Sequence, residues 1–172
     1  MIVLVLGGAR SGKSNVAERL ARRPGPVTYV ATYVATGPTA DPDMAARIVI
    51  HRDRRPPDWV TVEATPDQLV EVVRSAPPGV VLLDSLTTWL AAAPEFVVDV
   101  EALCAALQGR EGDTVIVSDE VGLGVHPSSG YGRRFRDQLG LLNQSVAEVA
   151  DRVLLVVAGR VLPLERLALD AL

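Results

Sequence analysis

Eight consecutive residues near the start of the chain have the types and spacing that bind a nucleoside triphosphate. The pattern G-x-x-x-x-G-K-[ST] is matched at every position by Gly7-Gly8-Ala9-Arg10-Ser11-Gly12-Lys13-Ser14. In such a loop the glycines let backbone N–H groups close around phosphate oxygens, and the following helix directs its positive dipole end at them. We expect Lys13 to reach the β- and γ-phosphates and Ser14 to ligate Mg²⁺.

A phosphate loop of this kind works with an acid at the end of a neighbouring strand, which holds the hydration shell of the Mg²⁺. Asp84 follows four apolar residues, 80–83, and has that pattern. Asp119 and Glu120, which follow the apolar run 114–118, are a second candidate pair. Asp84 also precedes Ser85 and a helical stretch, so a helix cap is its ordinary alternative role. The pattern favours Asp84 as the acid that holds the hydration shell of the Mg²⁺.

A histidine lies among arginines in the stretch 47–55. On a helix Arg47, His51 and Arg55 would share one face, with Arg54 close by. Guanidinium groups clamp phosphate and lower the pKa of a nearby imidazole, so a neutral His51 could attack phosphorus and form a covalent intermediate. A solvated basic face is the commoner explanation of such a run, and the residues alone favour it. The other histidine, His126, sits in a Gly/Pro loop, where a histidine is more often simply exposed.

The composition excludes several classes of protein. Among 172 residues the net charge is −4, and the 17 basic residues comprise sixteen arginines and Lys13. With one lysine, the guanine motif N-K-x-D is impossible, and dispersed charge argues against a nucleic-acid binder. The single cysteine, Cys104, is expected to be a small packing residue. The first apolar run, residues 2–6, is too short for a signal or membrane segment, so we expect a cytoplasmic protein with no membrane span.

Apolar runs alternate with amphipathic stretches along the whole chain, which predicts βα units and a mainly parallel sheet in one domain, residues 1–172. Strands are predicted at residues 2–6, 27–31, 59–63, 79–84, 114–118 and 152–158, with 161–164 as a closing hairpin strand. Helices are predicted at 14–23, 41 to about 55, 67–75 and 133–150, and 167–172 is either a short helix or frayed. On these grounds a small-molecule kinase without a second activity and a RecA-like regulatory ATPase both remain open.

Further motifs resemble one family, that of the bifunctional adenosylcobinamide kinase / adenosylcobinamide-phosphate guanylyltransferases. Besides the phosphate loop, the resemblance covers YVAT at 29–32, MAARI at 44–48, HRDRRPPDW at 51–59 and TVE at 61–63. It continues through LLDSLTTW at 82–89, EVGLGVHP at 120–127, RRFRDQLGLLNQ at 133–144 and LVVAGRVLPL at 155–164. The Ser118-Asp119 pair departs from the Asn often found before Glu-Val-Gly in that family.

The resemblance implies a RecA-like P-loop fold, a homotrimer and two reactions of the cobalamin nucleotide-loop pathway. The first phosphorylates adenosylcobinamide with ATP or GTP. The second transfers GMP from GTP to adenosylcobinamide phosphate, through a guanylyl-histidine at the position of His51. The resemblance therefore favours a catalytic role for His51 over the solvated basic face that the residues alone favour. The same resemblance implies further GTP contacts, at Ala31, Thr32, Tyr33, Arg52, Asp53, Arg54, Arg55, Glu63 and Asp84.

Overall fold

Seven strands of the chain form one twisted sheet, mostly parallel, in a computed structural model that describes residues 1–32 and 55–166. The predicted helix from 41 to about 55 and the terminal segment 167–172 lie outside those residues. The strands are β1 (Ile2–Gly7), β2 (Val27–Ala31), β3 (Val60–Glu63), β4 (Val80–Asp84), β5 (Thr114–Asp119), β6 (Arg152–Val157) and β7 (Arg160–Leu164).

The strand order across the sheet is β3-β2-β4-β5-β1-β6-β7. Among the residues that the structure describes, only the pairing of β6 with β7 is antiparallel, so the predicted closing hairpin is present. The strand that leads into the phosphate loop, β1, lies between β5 and β6. One strand, β5, therefore separates β1 from β4, the strand that ends at Asp84, and both acids at strand ends lie along the same edge of the sheet as the loop.

Helices cover both faces of the sheet, as the alternation of patterns predicts. They are α1 (Lys13–Ala21), α2 (Leu69–Ser75), α3 (Leu86–Ala92), α4 (Val100–Gly109) and α5 (Gly130–Val149), with a 3₁₀ turn at Pro94–Phe96. Successive side chains of β1 point to opposite faces, so Leu4 belongs to the core cluster that includes residues of α2 to α5, and Val5 belongs to the cluster that includes residues of α1. Both are completely buried, which explains why β1 has an unbroken apolar sequence.

Element ends differ from the predicted ones where turns and caps intervene. Helix α1 stops at Ala21 instead of residue 23, because Arg23 precedes Pro24 and a residue before proline disfavours helical dihedral angles. Helix α5 begins at Gly130, three residues before the predicted start. There the Ser129 hydroxyl accepts a hydrogen bond from the amide of Gly132 and caps a first turn whose glycines are poor helix formers.

The lone cysteine lies on α4 and is half-buried against the core on that face. Its thiol donates to the carbonyl oxygen of Ser145 at 3.6 Å. Burial raises the pKa of the Cys104 thiol, which disfavours the reactive thiolate. Within residues 1–32 and 55–166, no helix is long and apolar enough to cross a membrane.

Candidate nucleotide site at the carboxyl edge of the sheet

The phosphate loop joins the end of β1 to the first residue of α1, as its sequence predicts. A turn closes it, in which the amide of Ser11 donates to the carbonyl oxygen of Gly8 at 3.2 Å. Arg10 and Gly12 have φ angles of 58° and 94°, in the left-handed region. A Cβ on Gly7 would lie 2.5 Å from the Ser11 hydroxyl oxygen and 2.7 Å from the carbonyl oxygen of Val156, so the loop accepts only glycine there.

The turn between β6 and β7 braces the phosphate loop from outside. The amide of Gly159 donates to the carbonyl oxygen of Ser11 at 2.8 Å. A Cβ on Gly12 would come within 3.3 Å of the Gly159 Cα atom. The closing hairpin therefore supports the backbone of the loop at the two residues before Lys13.

The single lysine of the chain faces the acid at the end of β5. Lys13 Nζ lies 2.5 Å from Asp119 Oδ1 and also donates to the carbonyl oxygen of Gly8 at 3.3 Å. Gly7 and Asp119 are directly opposite in the parallel pairing of β1 with β5. The strand register therefore sets the carboxylate beside the lysine that is expected to hold the β- and γ-phosphates.

The backbone on either side of the Asp119 side chain is held by three elements. Its amide donates to the Thr87 hydroxyl oxygen on α3 at 2.8 Å, and its carbonyl oxygen accepts from Asn143 Nδ2 on α5 at 3.1 Å. The next amide, that of Glu120, donates to the carbonyl oxygen of Gly7 at 3.1 Å. The sequence reasoning did not single out Thr87 or Asn143. Asn143 could have been noticed in the sequence, because it is a polar residue on the same buried face of α5 as Leu139, Leu142 and Val146.

The other acid, Asp84, is engaged by a tyrosine that the sequence reasoning also passed over. The Tyr29 hydroxyl donates to Asp84 Oδ2 at 2.5 Å. Burial, reinforced by the negative charge of Asp84, raises the pKa of Tyr29, so the phenol stays protonated and remains a donor. The Arg55 guanidinium opposes that rise and lies 3.6 Å from the centre of the Tyr29 ring, while Trp59 stacks on the ring with centroids 6.5 Å apart.

Several of the other residues predicted to contact nucleotide meet at the ends of β2, β3 and β4. Ala31 is paired with Glu63 on one side and with Asp84 on the other. Thr32 is buried, and its hydroxyl oxygen accepts from the amide of Ser85 at 2.9 Å and lies 2.5 Å from the Thr88 hydroxyl oxygen. Its side chain therefore supports the start of α3 directly after Asp84. The predicted residues Tyr33, His51, Arg52, Asp53 and Arg54 lie outside the part of the chain that the structure describes.

A cavity of about 790 Å³ lies elsewhere, between α5 and the β6–β7 hairpin. Its lining includes Glu120 and Asn143 but neither Lys13 nor Asp84, so it is not the expected triphosphate site. Across residues 1–32 and 55–166, there is no group of three or more His, Cys, Asp or Glu side chains that could hold a metal ion.

The strand order and the loop define the chain as a P-loop NTPase with a RecA-like sheet. Two solved structures share this fold, a Pyrococcus horikoshii protein and an ATPase of a bacterial type III secretion system. The Pyrococcus horikoshii protein has a TM-score of 0.58 at 8% identity, and the match covers 98% of this chain and 88% of that one. The ATPase has a TM-score of 0.55 at 14% identity, and the match covers 90% of this chain and 50% of the ATPase.

The chain belongs to the CobU family, cobinamide kinase / cobinamide phosphate guanyltransferase, whose model matches residues 3–164. A bifunctional adenosylcobalamin biosynthesis protein CobP from Pseudomonas aeruginosa is 42% identical over 170 residues, covering 94% of this chain and 96% of the relative. The corresponding CobU protein from Salmonella typhimurium is 39% identical over 180 residues, covering 92% and 97%. The predicted family and fold class are thereby confirmed.

Proposed function

We propose that this chain phosphorylates the hydroxyl of adenosylcobinamide with ATP or GTP and then transfers GMP from GTP to the resulting phosphate. The products of the second step are adenosylcobinamide-GDP and pyrophosphate. The observation that carries the proposal is a complete phosphate loop between β1 and α1, in a chain that the two-activity family matches over residues 3–164. All residues, 1–172, are taken to form one P-loop domain that carries both reactions.

In the kinase step the chain would act mainly by positioning and by neutralising charge. Lys13 and the first turn of α1 hold the β- and γ-phosphates. The acceptor hydroxyl oxygen forms a bond to the γ-phosphorus and gives up its proton to water, as the bond from that phosphorus to the bridging oxygen breaks and ADP or GDP leaves. Ser14 and Asp84 would hold a Mg²⁺, whose charge further neutralises the phosphates when it is bound. Tyr29 supports this role because its hydrogen bond orients the Asp84 carboxylate at the strand end.

In the guanylyl step His51 attacks the α-phosphorus of GTP, forming a nitrogen–phosphorus bond and releasing pyrophosphate. An oxygen of the substrate phosphate then displaces the histidine and takes the GMP group. The guanidinium groups of Arg52, Arg54 and Arg55 would hold the phosphates while their charge is redistributed. Asp53 would be a further contact with GTP. Support from the described residues comes from Arg55, which packs on the Tyr29 ring beside Asp84.

The GTP used in the second step would contact the ends of β2 to β4. Ala31, Thr32 and Tyr33 follow one another there, and Glu63 and Asp84 are paired on either side of Ala31. We extend the proposal to a homotrimer that works in the cytoplasm, where both nucleoside triphosphates are available.

The decisive experiment follows the guanylyl group. After incubation with α-labelled GTP, the full chain is expected to carry label that is stable to base and labile to acid, as a phosphorus–nitrogen bond is. Added adenosylcobinamide phosphate should discharge that label into the corrinoid product.

The substitution His51→Ala should abolish the label while leaving GTP binding, measured by calorimetry, and the circular dichroism spectrum unchanged. Label that persists in H51A would overturn the assignment of His51. A chain that phosphorylates the corrinoid but forms no labelled protein would be a kinase alone. One that hydrolyses triphosphate without a corrinoid acceptor would be a regulatory ATPase.

A further inference from the structure

The segment that joins β5 to α5 exposes large apolar side chains. Leu123 is 82% exposed and Val125 is 96% exposed, and Tyr131, in the first turn of α5, is 68% exposed. Single exposed apolar residues are ordinary on protein surfaces. Here three fall within nine residues of the chain, and such a density of exposed apolar side chains is typical of a binding site. We call residues 120–131 the β5–α5 segment.

Both ends of the β5–α5 segment are held by hydrogen bonds and packing. At its start the Glu120 amide donates to Gly7, and near its end Arg133 Nη1 donates to the carbonyl oxygens of Pro127 and Ser128 at 3.0 and 2.9 Å. The Tyr131 ring packs on Phe96 with centroids 4.6 Å apart. The apolar side chains therefore project from a base whose position is set by the fold.

The segment begins next to the nucleotide site. Its first residue follows Asp119, whose carboxylate contacts Lys13. In open parallel sheets ligands bind outside the carboxyl ends of the strands, and β5 is the immediate neighbour of β1 at that edge. A molecule seated on Leu123 and Val125 would therefore lie along the same edge as a triphosphate in the loop.

The segment also offers a polar donor beside its apolar tip. His126 Nδ1 lies 2.8 Å from Arg136 Nη1. Because a guanidinium is protonated and can only donate, Nδ1 must accept, which leaves the ring hydrogen on Nε2. The exposed imidazole therefore presents an N–H group directly after Val125, and such a group suits an amide carbonyl.

We infer that the β5–α5 segment binds the acceptor of the phosphoryl transfer, a large ring with apolar faces and an amide-bearing rim. This inference rests on the proposed function, whose acceptor is a corrinoid. The acceptor hydroxyl must reach the γ-phosphorus held by Lys13, so the bulk of a large acceptor has to lie outside the loop at the same edge. Leu123 and Val125 supply the apolar contact there, and His126 supplies a hydrogen bond to the rim.

The test uses cobinamide, whose visible absorbance reports binding to the full chain in equilibrium dialysis. Leu123→Ser and Val125→Ser should each weaken cobinamide binding roughly tenfold and raise its KM in the kinase assay by a similar factor, because each removes an apolar contact. The dissociation constant for GTP should not change. Val60→Ser is the matched control: it makes the same change at a 61% exposed valine that begins the edge strand β3, and it should leave both constants unchanged.

Three outcomes would overturn the inference. Cobinamide binding by L123S and V125S that equals the wild-type value would show that the segment does not touch the acceptor. A fall in molar mass by light scattering, in step with the lost binding, would show that the segment joins copies of the chain instead. A wild-type chain that binds GTP but no cobinamide would overturn the proposed function, and this inference with it.

Discussion

Lys13 Nζ and Asp119 Oδ1 lie 2.5 Å apart, so the only lysine of the chain is paired with a carboxylate where phosphate is expected to bind. The two side chains are 13% and 25% exposed, so the pair is partly shielded from water. A triphosphate that is to reach Lys13 has to separate this pair or share the ammonium with the carboxylate. The pair therefore opposes nucleotide binding.

The first prediction concerns the substitution Asp119→Asn. Removing one partner of a partly exposed ion pair frees the lysine, and such pairs contribute about 0.2–1 kcal/mol, so we expect GTP to bind about 1.4- to fivefold more tightly. Calorimetric titration measures this directly. Asp67→Asn, which removes the same charge at an exposed site outside the nucleotide site, should leave the affinity unchanged. Weaker binding in D119N would instead mean that the carboxylate assists the nucleotide.

A double substitution assigns the effect to the pair itself. Lys13→Ala removes the charge over the β- and γ-phosphates and should reduce GTP binding at least about a hundredfold, with loss of both reactions. In that background, adding Asp119→Asn should change the remaining affinity much less than it does in the wild type. Full activity of K13A would remove the phosphate loop from the mechanism.

The second prediction concerns the hydroxyl of Tyr29. Tyr29→Phe leaves Asp84 Oδ2 without its donor, which should lower the free energy of unfolding at pH 7 by about 1–3 kcal/mol. The ring and its contact with Arg55 are kept. Tyr131→Phe, at an exposed tyrosine, is the matched control and should change little. Urea unfolding at pH 7 measures both values.

The same residue predicts how stability changes in alkali. The pKa of folded Tyr29 is raised above its ordinary value of 10.0, so between pH 10 and the folded pKa the unfolded chain loses a proton that the folded chain keeps. The stability contributed by Tyr29 is thus complete below pH 10 and falls as the pH rises. The difference between wild type and Y29F should shrink above pH 10. A constant difference up to pH 11 would contradict the raised pKa.

The third prediction tests the clamp on the Asp119 backbone. Asn143 is buried and donates to the Asp119 carbonyl oxygen, so Asn143→Asp puts an acceptor opposite an acceptor at neutral pH. Burial raises the pKa of the new carboxyl, so its penalty is largest at pH 8 and shrinks as the pH falls and the protonated group can donate. Thermal unfolding at pH 8 and pH 5 should show this recovery. Gln144→Glu, the same change at the exposed neighbour, should show none.

The fourth prediction compares two adjacent glycines of the phosphate loop. Gly7→Ala places a Cβ 2.7 Å from the backbone oxygen of Val156, which cannot move without shifting β6. We expect a loss of about 1–3 kcal/mol in the free energy of unfolding. A Cβ on Gly8 would meet nothing within 4 Å, so Gly8→Ala should leave the unfolding midpoint unchanged. Equal midpoints for the two variants would contradict the close approach of β1 to β6.

Much of the fold could be predicted from residue patterns, because each buried strand is a local apolar run and the phosphate loop is a contiguous motif. Helix ends were harder to predict. Gly130 begins α5 because the Ser129 hydroxyl caps it, although glycine disfavours a helix. The Tyr29–Asp84 bond joins residues 55 positions apart, and no local pattern reports which side chains two neighbouring strands bring together.

The sequence alone determined that the chain has a phosphate loop, that Lys13 is its only lysine and that carboxylates end two apolar strands, since these depend on residue identity and short spacing. Which carboxylate meets Lys13 was decided by the tertiary structure. The order of strands sets β5 between β4 and β1, so Asp119 is paired opposite Gly7, while Asp84 lies one strand further away and bonds to Tyr29. The order of the strands depends on how the whole chain packs against the two apolar faces of the sheet, so no single segment encodes it.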